Sequence, residues 1–501
     1  MSIYGELKNK TKALFAPRNG TSYKGTEEEK ELASHFDKVR RDIDTAWILK
    51  MPRDSQSREN VQFFMGNQWD EEELIAHQVQ EIPPYVFDQI SPKINNLLGM
   101  EQSTRLDAQA LPVERGDEPK SALLNSLIAW FESMNDIAQV QSTVFKDAVL
   151  KAVGWSVVRW EMSDVAGGYP VVESVPTWQM IWDLSSNQID GHDMKWMARM
   201  MPIRRADAVE LYPDYKDIIN RVPIGSGTFL NMRIEDIMTE RQMWENTNNG
   251  SIYQSADFII IVEYYESIID YEYVITDTIR DVDEQFDNEE EAALYLKGLQ
   301  DAYMVGDEIL IDENGEDVVY MQKIGKTRVD QTLIAGNEIC HRIATELPRM
   351  PYFQSFGYFD EGTYWAPIDM LIDPQRFHNR QISRWDNQMG KAAKNIVTVV
   401  PVGLSNGWDI DMMNTAISRT GAIIPVTSHD ALKLHPNLPA SPEIQNALAY
   451  SANFITESVG GNNALGLQEN AAESGVAVQR RQQAAGTARL PLFDHLRVWR
   501  R

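Results

Sequence analysis

Along this chain apolar residues recur at helical spacing, cluster in β-rich runs, and thin out into charged stretches, and the changes of regime predict its elements. Thr26-Glu27-Glu28-Glu29-Lys30-Glu31 opens a helix, with carboxylates in the first turn where the helix dipole favours them. Residues 1–60 are charge-rich without a continuous apolar face, which predicts an N-terminal arm or peripheral helix. From Val61 to Pro112 the pattern predicts helices broken at Pro83-Pro84 and Ser91-Pro92, then a strand over Leu106–Leu111. Asn125–Val153 reads as one amphipathic helix, with Leu127, Trp130, Phe131, Ile137, Val140, Val144 and Ala148 on an apolar face that drifts around the axis.

Phe258–Val274 alternates poorly but is dense in Ile, Val and Tyr, so strands are expected there. An acidic insertion occupies 279–325. In it, a helix should start at Asn288-Glu289-Glu290-Glu291 and run through Leu299. A hairpin should pair Ile309-Leu310-Ile311 with Val318-Val319-Tyr320 around Asn314-Gly315. Its carboxylates read as a solvated face, because Asp312-Glu313-Asn314-Gly315 lacks the glycine position of an EF-hand loop.

Asp373–Lys394 projects as a helix with two stripes. At about 100° per residue, Arg376, Arg380, Arg384, Lys391 and Lys394 share one arc, opposite Ile382, Trp385 and Met389. In a monomer this is an ordinary amphipathic surface helix; in a ring of identical subunits, each basic residue becomes a circle of positive charge. Between Asn395 and Ala440 the runs Ile396–Val402 and Ala422–Val426 read as strands flanking a short helix over Asp409–Arg419.

A second long helix should start with Ser441 as N-cap, Pro442 in the first turn and Glu443 beside the positive dipole end. Ile444, Leu448, Ile455 and Val459 recur at roughly helical spacing, and Gly460-Gly461 should stop the helix. Asn462 to Asn470 has neither period and reads as a loop. Helix resumes near Ser474 with Gln479-Arg480-Arg481-Gln482-Gln483. A helix, a flexible loop and a helix make a natural channel constriction.

Three stretches resemble the portal, or head-to-tail connector, proteins of tailed bacteriophages, in their short-tailed branch. They are Tyr85-Val86-Phe87-Asp88-Gln89-Ile90-Ser91-Pro92-Lys93-Ile94-Asn95-Asn96-Leu97-Leu98-Gly99; Val153-Gly154-Trp155-Ser156-Val157-Val158-Arg159-Trp160 with Val175-Pro176 and Ile181-Trp182-Asp183; and Glu473-Ser474-Gly475-Val476-Ala477-Val478-Gln479-Arg480-Arg481-Gln482-Gln483. No one motif is diagnostic; their order over most of the chain carries the resemblance.

The resemblance implies an α+β subunit with a mixed α/β wing, a two-helix stem, a small α/β clip and a tunnel loop. On this chain the wing maps to 61–362, the stem helices to 363–394 and 441–459, the clip to 395–440, the tunnel loop to 460–473, and the start of a wing helix to 474–501. The resemblance implies a further wing segment and a helical crown after this helix, which have either been dispensed with or cut from the chain. The family also implies a homo-oligomeric ring of twelve copies in the virion, at a capsid vertex, assembled in the host cytoplasm. Its partners would be duplex DNA in the channel, the terminase large subunit, major capsid and scaffold proteins, and head–tail adaptor or tail proteins. Arg376, Arg380, Arg384, Lys391 and Lys394 would face the channel or the neighbouring stem. Asn462, Asn463, Gln468 and Asn470 would form the tunnel loop, and Trp408, Asp409, Asp411, Arg419 and His429 would meet clip partners.

Composition narrows the class further. With 501 residues the chain exceeds one ordinary core, and a single cysteine, Cys340, allows no intrachain disulfide. Neither a signal-peptide pattern nor an apolar run of the ~20 residues that span a bilayer is present, so no membrane partner is expected. The formal net charge of −27 argues against sequence-independent DNA binding over the whole surface. An acidic body with sparse basic rings suits a conduit past which DNA must slide.

The patterns of phosphate-binding loops and zinc proteases are missing from the sequence. Gly325-Lys326-Thr327 lacks the earlier glycine of a phosphate-binding loop, where Tyr320 stands. No His-Glu-x-x-His occurs, and Cys340 beside His341 reads as packing. No catalytic, cofactor or metal site is expected. The alternatives are a metal-dependent DNA-processing enzyme using carboxylates of the acidic insertion or near Asp369 and Asp373, and a head–tail adaptor ring.

Overall fold

The computed structural model describes residues 27–103, 105, 108–112, 116–161, 168–222, 237, 258–277, 282–302, 304–305, 308–309, 319–345, 347–392, 396–399, 409, 412, 415, 432–435, 442–458 and 490–500. In chain order these form α1 (Glu27–Phe64), α2 (Glu71–Val79), α3 (Ile90–Ser103), α4 (Glu118–Asn135), α5 (Ile137–Lys151), β1 (Val153–Glu161), β2 (Tyr169–Val175), β3 (Met180–Trp182) and β4 (Trp196–Arg204). Next come α6 (Arg205–Leu211), α7 (Lys216–Arg221), β5 (Phe258–Asp277), β6 (Val282–Phe286), α8 (Glu289–Ala302), β7 (Met304–Val305), β8 (Glu308–Ile309), β9 (Val319–Ala335) and β10 (Glu338–Thr345). The remainder is β11 (Tyr352–Phe356), β12 (Tyr358–Asp360), β13 (Thr363–Trp365), α9 (Asp369–Ala392), β14 (Ile396–Val399), β15 (Leu432–His435), α10 (Pro442–Ser458) and α11 (Leu490–Arg500). The fold class is α+β, as expected.

The chain divides into two compact units, one of Met1–Met51, Trp178–Ser185 and Met194–Met350, the other of Pro52–Thr177, Ser186–Asp193 and Pro351–Arg501. The first is built on an antiparallel sheet in the order β10-β9-β5-β4-β3, with β6 added at the far end of β5. The poor alternation of Phe258–Val262 now has its reason: this part of the sheet is covered on both faces, so neither needs polar residues. One face packs Ile260, Val262 and Tyr264 against Val39, Ile43, Ala46 and Trp47 of α1. The other packs Ile259 and Ile261 against Ala208, Ile219 and Val222.

One expectation is corrected in this unit. Residues 39–47 are not peripheral: Val39 and Ile43 are fully buried, an apolar stripe that short spacing among charged neighbours conceals. Most of the hairpin expected within the acidic insertion, residues 310–318, lies outside the described residues. Val319 and Tyr320 pair with Asp277 and Thr276 of β5, while Glu308–Ile309 pairs with Met304–Val305. Val319 joins Tyr273, Ile275 and Ala292 in a small core. The helix after Asn288 forms as α8.

The second unit holds the antiparallel sheet β11-β1-β2 and a helical core of Phe63, Ile90, Ile94, Leu97, Phe145, Val149, Leu371, Ile372, Ile455, Leu492 and Leu496. α5 turns directly into β1 at Ala152, whose φ of 71° is left-handed. The turn brings the strand so close to the helix that a Cβ on Gly154 would lie 2.0 Å from the Val144 carbonyl oxygen, so only glycine fits. Trp499 Nε1 donates to Ser156 Oγ at 2.8 Å, and His495 Nδ1 lies 3.0 Å from the Gly357 carbonyl, fastening α11 to this sheet.

Further corrections fall here. Ser91-Pro92 opens a helix rather than breaking one, since proline is tolerated in a first turn, and Asp88 Oδ1 caps it by accepting the Ile90 and Ser91 N–H groups at 2.9 and 3.0 Å. The single helix over 125–153 is two, broken at Asp136 in the left-handed region (φ 46°); the break is what makes the apolar face drift. Residues 108–112 are not strand: Asn125 satisfies the Ala110 backbone through its side chain. β14 pairs with Leu432–His435, whereas the expected strand Ala422–Val426 lies outside the described residues.

Candidate functional site

The basic-striped helix is α9, and three of its faces are already committed within its own unit. Its start is fixed by Asp369, which receives Arg53 through two bonds of 2.6 and 2.8 Å, Asn60 Nδ2 at 2.7 Å and the Ala366 N–H at 2.9 Å. This two-pronged geometry is the strong form of an arginine–carboxylate pair.

A second face carries Gln375, Asn379 and Ser383, all fully buried at four-residue spacing. They form a ladder along the extended segment 85–89. Ser383 Oγ accepts the Tyr85 N–H, Asn379 Oδ1 the Phe87 N–H and Gln375 Oε1 the Gln89 N–H, each at 3.1 Å. Gln375 Nε2 returns a bond of 2.7 Å to the Phe87 carbonyl. The match is geometric: four helical residues rise about 6 Å, and two strand residues about 6.7 Å. Side chains of a helix thus stand in for a neighbouring strand. On the same side, His378 Nδ1 lies 2.8 Å from Ser451 Oγ of α10, and burial pushes its pKa below the usual histidine value.

The basic stripe forms the third face, and its members part company. Arg376 binds Glu59 and, at 2.9 Å, Asp70, with its guanidinium 5.0 Å from the Phe63 ring centroid. Arg380 is paired with Glu73. Arg384 is exposed, and no ion pair holds it among the described residues. Lys391 lies in the last turn of α9, and Lys394 lies outside the described residues. The exposed margin of α9 carries Asp373 (93% exposed side chain) and Phe377.

Of the other candidates, Asp409 is exposed; Trp408, Asp411, Arg419 and His429 lie outside the described residues. So do Asn462, Asn463, Gln468 and Asn470. The stripe reading missed the Gln375–Asn379–Ser383 ladder, although amides and a hydroxyl every four residues in an otherwise core-facing row could have signalled it. Nothing local announced Glu59, Asp70 and Glu73 as partners, because they lie about 300 residues away in sequence.

Among the described residues no group of three or more His, Cys, Asp or Glu converges as a metal site, and no described helix is long and apolar enough to cross a membrane. Asp369, a carboxylate of the enzyme alternative, is consumed by Arg53 and Asn60.

A model of the phage P22-like portal protein family matches residues 42–501, which take in α9, its ladder and all three resembling stretches. The chain belongs to this family. It is a phage portal protein of the short-tailed, P22-like branch. No curated protein matches it. For a P22-like portal protein α9 is therefore a structural element first, braced on α1, α2, α10 and the 85–89 segment. Portals are structural rather than catalytic proteins, in keeping with the use of Asp369 as an anchor.

Proposed function

We propose that this portal protein assembles as a closed ring, with twelve copies, at one capsid vertex, and that phage DNA is packaged, retained and ejected through its centre. The observation that carries this is the family match over residues 42–501. In this reading 61–362 is wing, α9 and α10 form the stem, 395–440 is the clip, and 460–473 is the tunnel loop. The clip docks the terminase motor and later the tail adaptors through Trp408, Asp409, Asp411, Arg419 and His429. Capsid and scaffold proteins meet the rest of the ring.

The state of the basic stripe supports a conduit over a binder. Arg376 and Arg380 are balanced by Glu59, Asp70 and Glu73, so of the three arginines of the stripe a passing phosphate backbone would meet mainly Arg384. Weak, sparse contacts let a duplex slide, whereas each fully available cation adds to salt-dependent affinity. A helix fastened on three faces is also a stiff wall for a channel under load.

The test is native mass and negative-stain imaging of the purified chain. A closed ring near roughly 690 kDa, twelve times the 57.1 kDa chain, with a hole wide enough for a duplex is the expected result. A monomer that cleaves DNA with a divalent metal would overturn it in favour of the enzyme reading.

A further inference from the structure

α4 is an 18-residue helix that buries none of its own side chains. Its outward stripe is nevertheless apolar: Leu123, Leu127, Trp130 and Met134 are 50–63% exposed at i, i+4, i+7 and i+11, with Leu124 beside them at 49%. This is the spacing of a helix seam that packs against something. The opposite side is held by polar bonds: Asn125 to the Ala110 backbone, and Asn135 to Pro170 and Val172 of β2. The helix is therefore fixed in place with its greasy side outward. Half-exposed side chains of this size make a patch on the order of several hundred Å², which on a soluble protein marks an interaction site.

Charge selects the occupant. From Ser121 to Met134 the only charged residue is Glu132, and it is paired with Arg500 at 2.6 Å. A stripe without free lysine or arginine offers phosphate nothing, which excludes nucleic acid. Two copies of a chain with formal net charge −27 repel over most of their surfaces, and a charge-free face is where they can approach. A cyclic ring needs one face that seats on a different face of the next copy.

We infer that the Leu123–Met134 stripe of α4 is the apolar centre of the subunit–subunit interface, seated on a second copy of this chain. The inference rests on the portal reading. The patch is smaller than the ~800 Å² per partner of a standard interface, so polar surface around it completes the contact.

The full-length chain tests this in two ways. Leu127→Glu and Trp130→Glu should abolish rings in native mass measurements and leave subunits with unchanged far-UV circular dichroism, while Leu127→Met and Leu294→Glu, the latter at a more exposed apolar site on α8 (78%), should leave rings intact. Second, a benzophenone maleimide on Ser126→Cys in a Cys340→Ser background should, when irradiated in rings, give a product of two chains. Intact rings from both glutamate variants, or crosslinks confined to one chain or to DNA, would overturn the inference and leave the portal reading standing. A wild-type chain that never forms rings would remove the portal reading, and this inference with it.

Discussion

Arg53 and Asp369 meet through two parallel hydrogen bonds of 2.6 and 2.8 Å, and this pair ties the last part of α1 to the first residue of α9 within one unit. Both side chains are about one-fifth exposed, so neither is well hydrated. Removing one partner leaves the other charge largely buried. Arg53→Met should destabilise the second unit by about 3 kcal/mol, seen as a lower thermal midpoint. Adding Asp369→Asn should recover part of the loss, because no unpaired charge then remains.

Asn379 accepts the Phe87 N–H and donates to Gln68 Oε1 at 2.8 Å. Asn379→Ala should cost about 3 kcal/mol, since buried donors and acceptors lose their partners, with hydrogen exchange at Phe87 accelerated more than at residues of β1. Ser383→Ala, which removes one bond, should cost about 1 kcal/mol. Equal exchange rates in wild type and the Asn379 variant would show that the ladder does not hold the segment.

The pKa of Asp44 is raised to about 7, first by burial, with Arg40 opposing. A carboxyl whose pKa is raised on folding binds its proton more tightly in the native state, so it lowers stability as pH climbs from about 4 to 7. Asp44→Asn should accordingly raise the thermal midpoint at pH 8 and change it little at pH 5. A gain that is the same at both values would mean the aspartate is not titrating in that window.

Arg380 and Arg384 should respond differently to charge reversal. Arg380→Glu places a second carboxylate against Glu73 and should cost about 1 kcal/mol of stability. Arg384→Glu should stay within about 0.5 kcal/mol, as an exposed site does, yet reduce packaging. Normal particle yield and genome content with Arg384→Glu would argue that this residue does not face the DNA path.

Deleting part of Asn462–Asn470 should impair genome retention or packaging while rings of normal mass still form. Unchanged genome content in particles carrying the shortened loop would count against its assignment to the constriction.

Local signals identified several elements because each rests on neighbours in sequence. The acidic first turn before Lys30, the Asn288-Glu289 start of α8, the passage from α5 into β1 and the α10 helix after Pro442 are of this kind. What was misread depended on distant partners. Val319 pairs with Asp277, 42 residues earlier in sequence, which no local pattern announced. The start of α1 looks wholly polar until Val39 and Ile43 meet Ile260 and Val262. The basic stripe was legible as a stripe, whereas the pairing of Arg376 and Arg380 with Glu59, Asp70 and Glu73 was not.

The sequence by itself determined the α+β class, the order of the family's stretches and the basic and apolar faces of α9, because periodicity and short motifs are properties of adjacent residues. Only the tertiary structure decided which charges on that helix are spent, that its amide row replaces a missing strand beside residues 85–89, and that α4 is held with its apolar stripe outward. Those outcomes depend on burial and on hydrogen bonds between residues tens to hundreds of positions apart, where desolvation, rather than local propensity, sets the free energy.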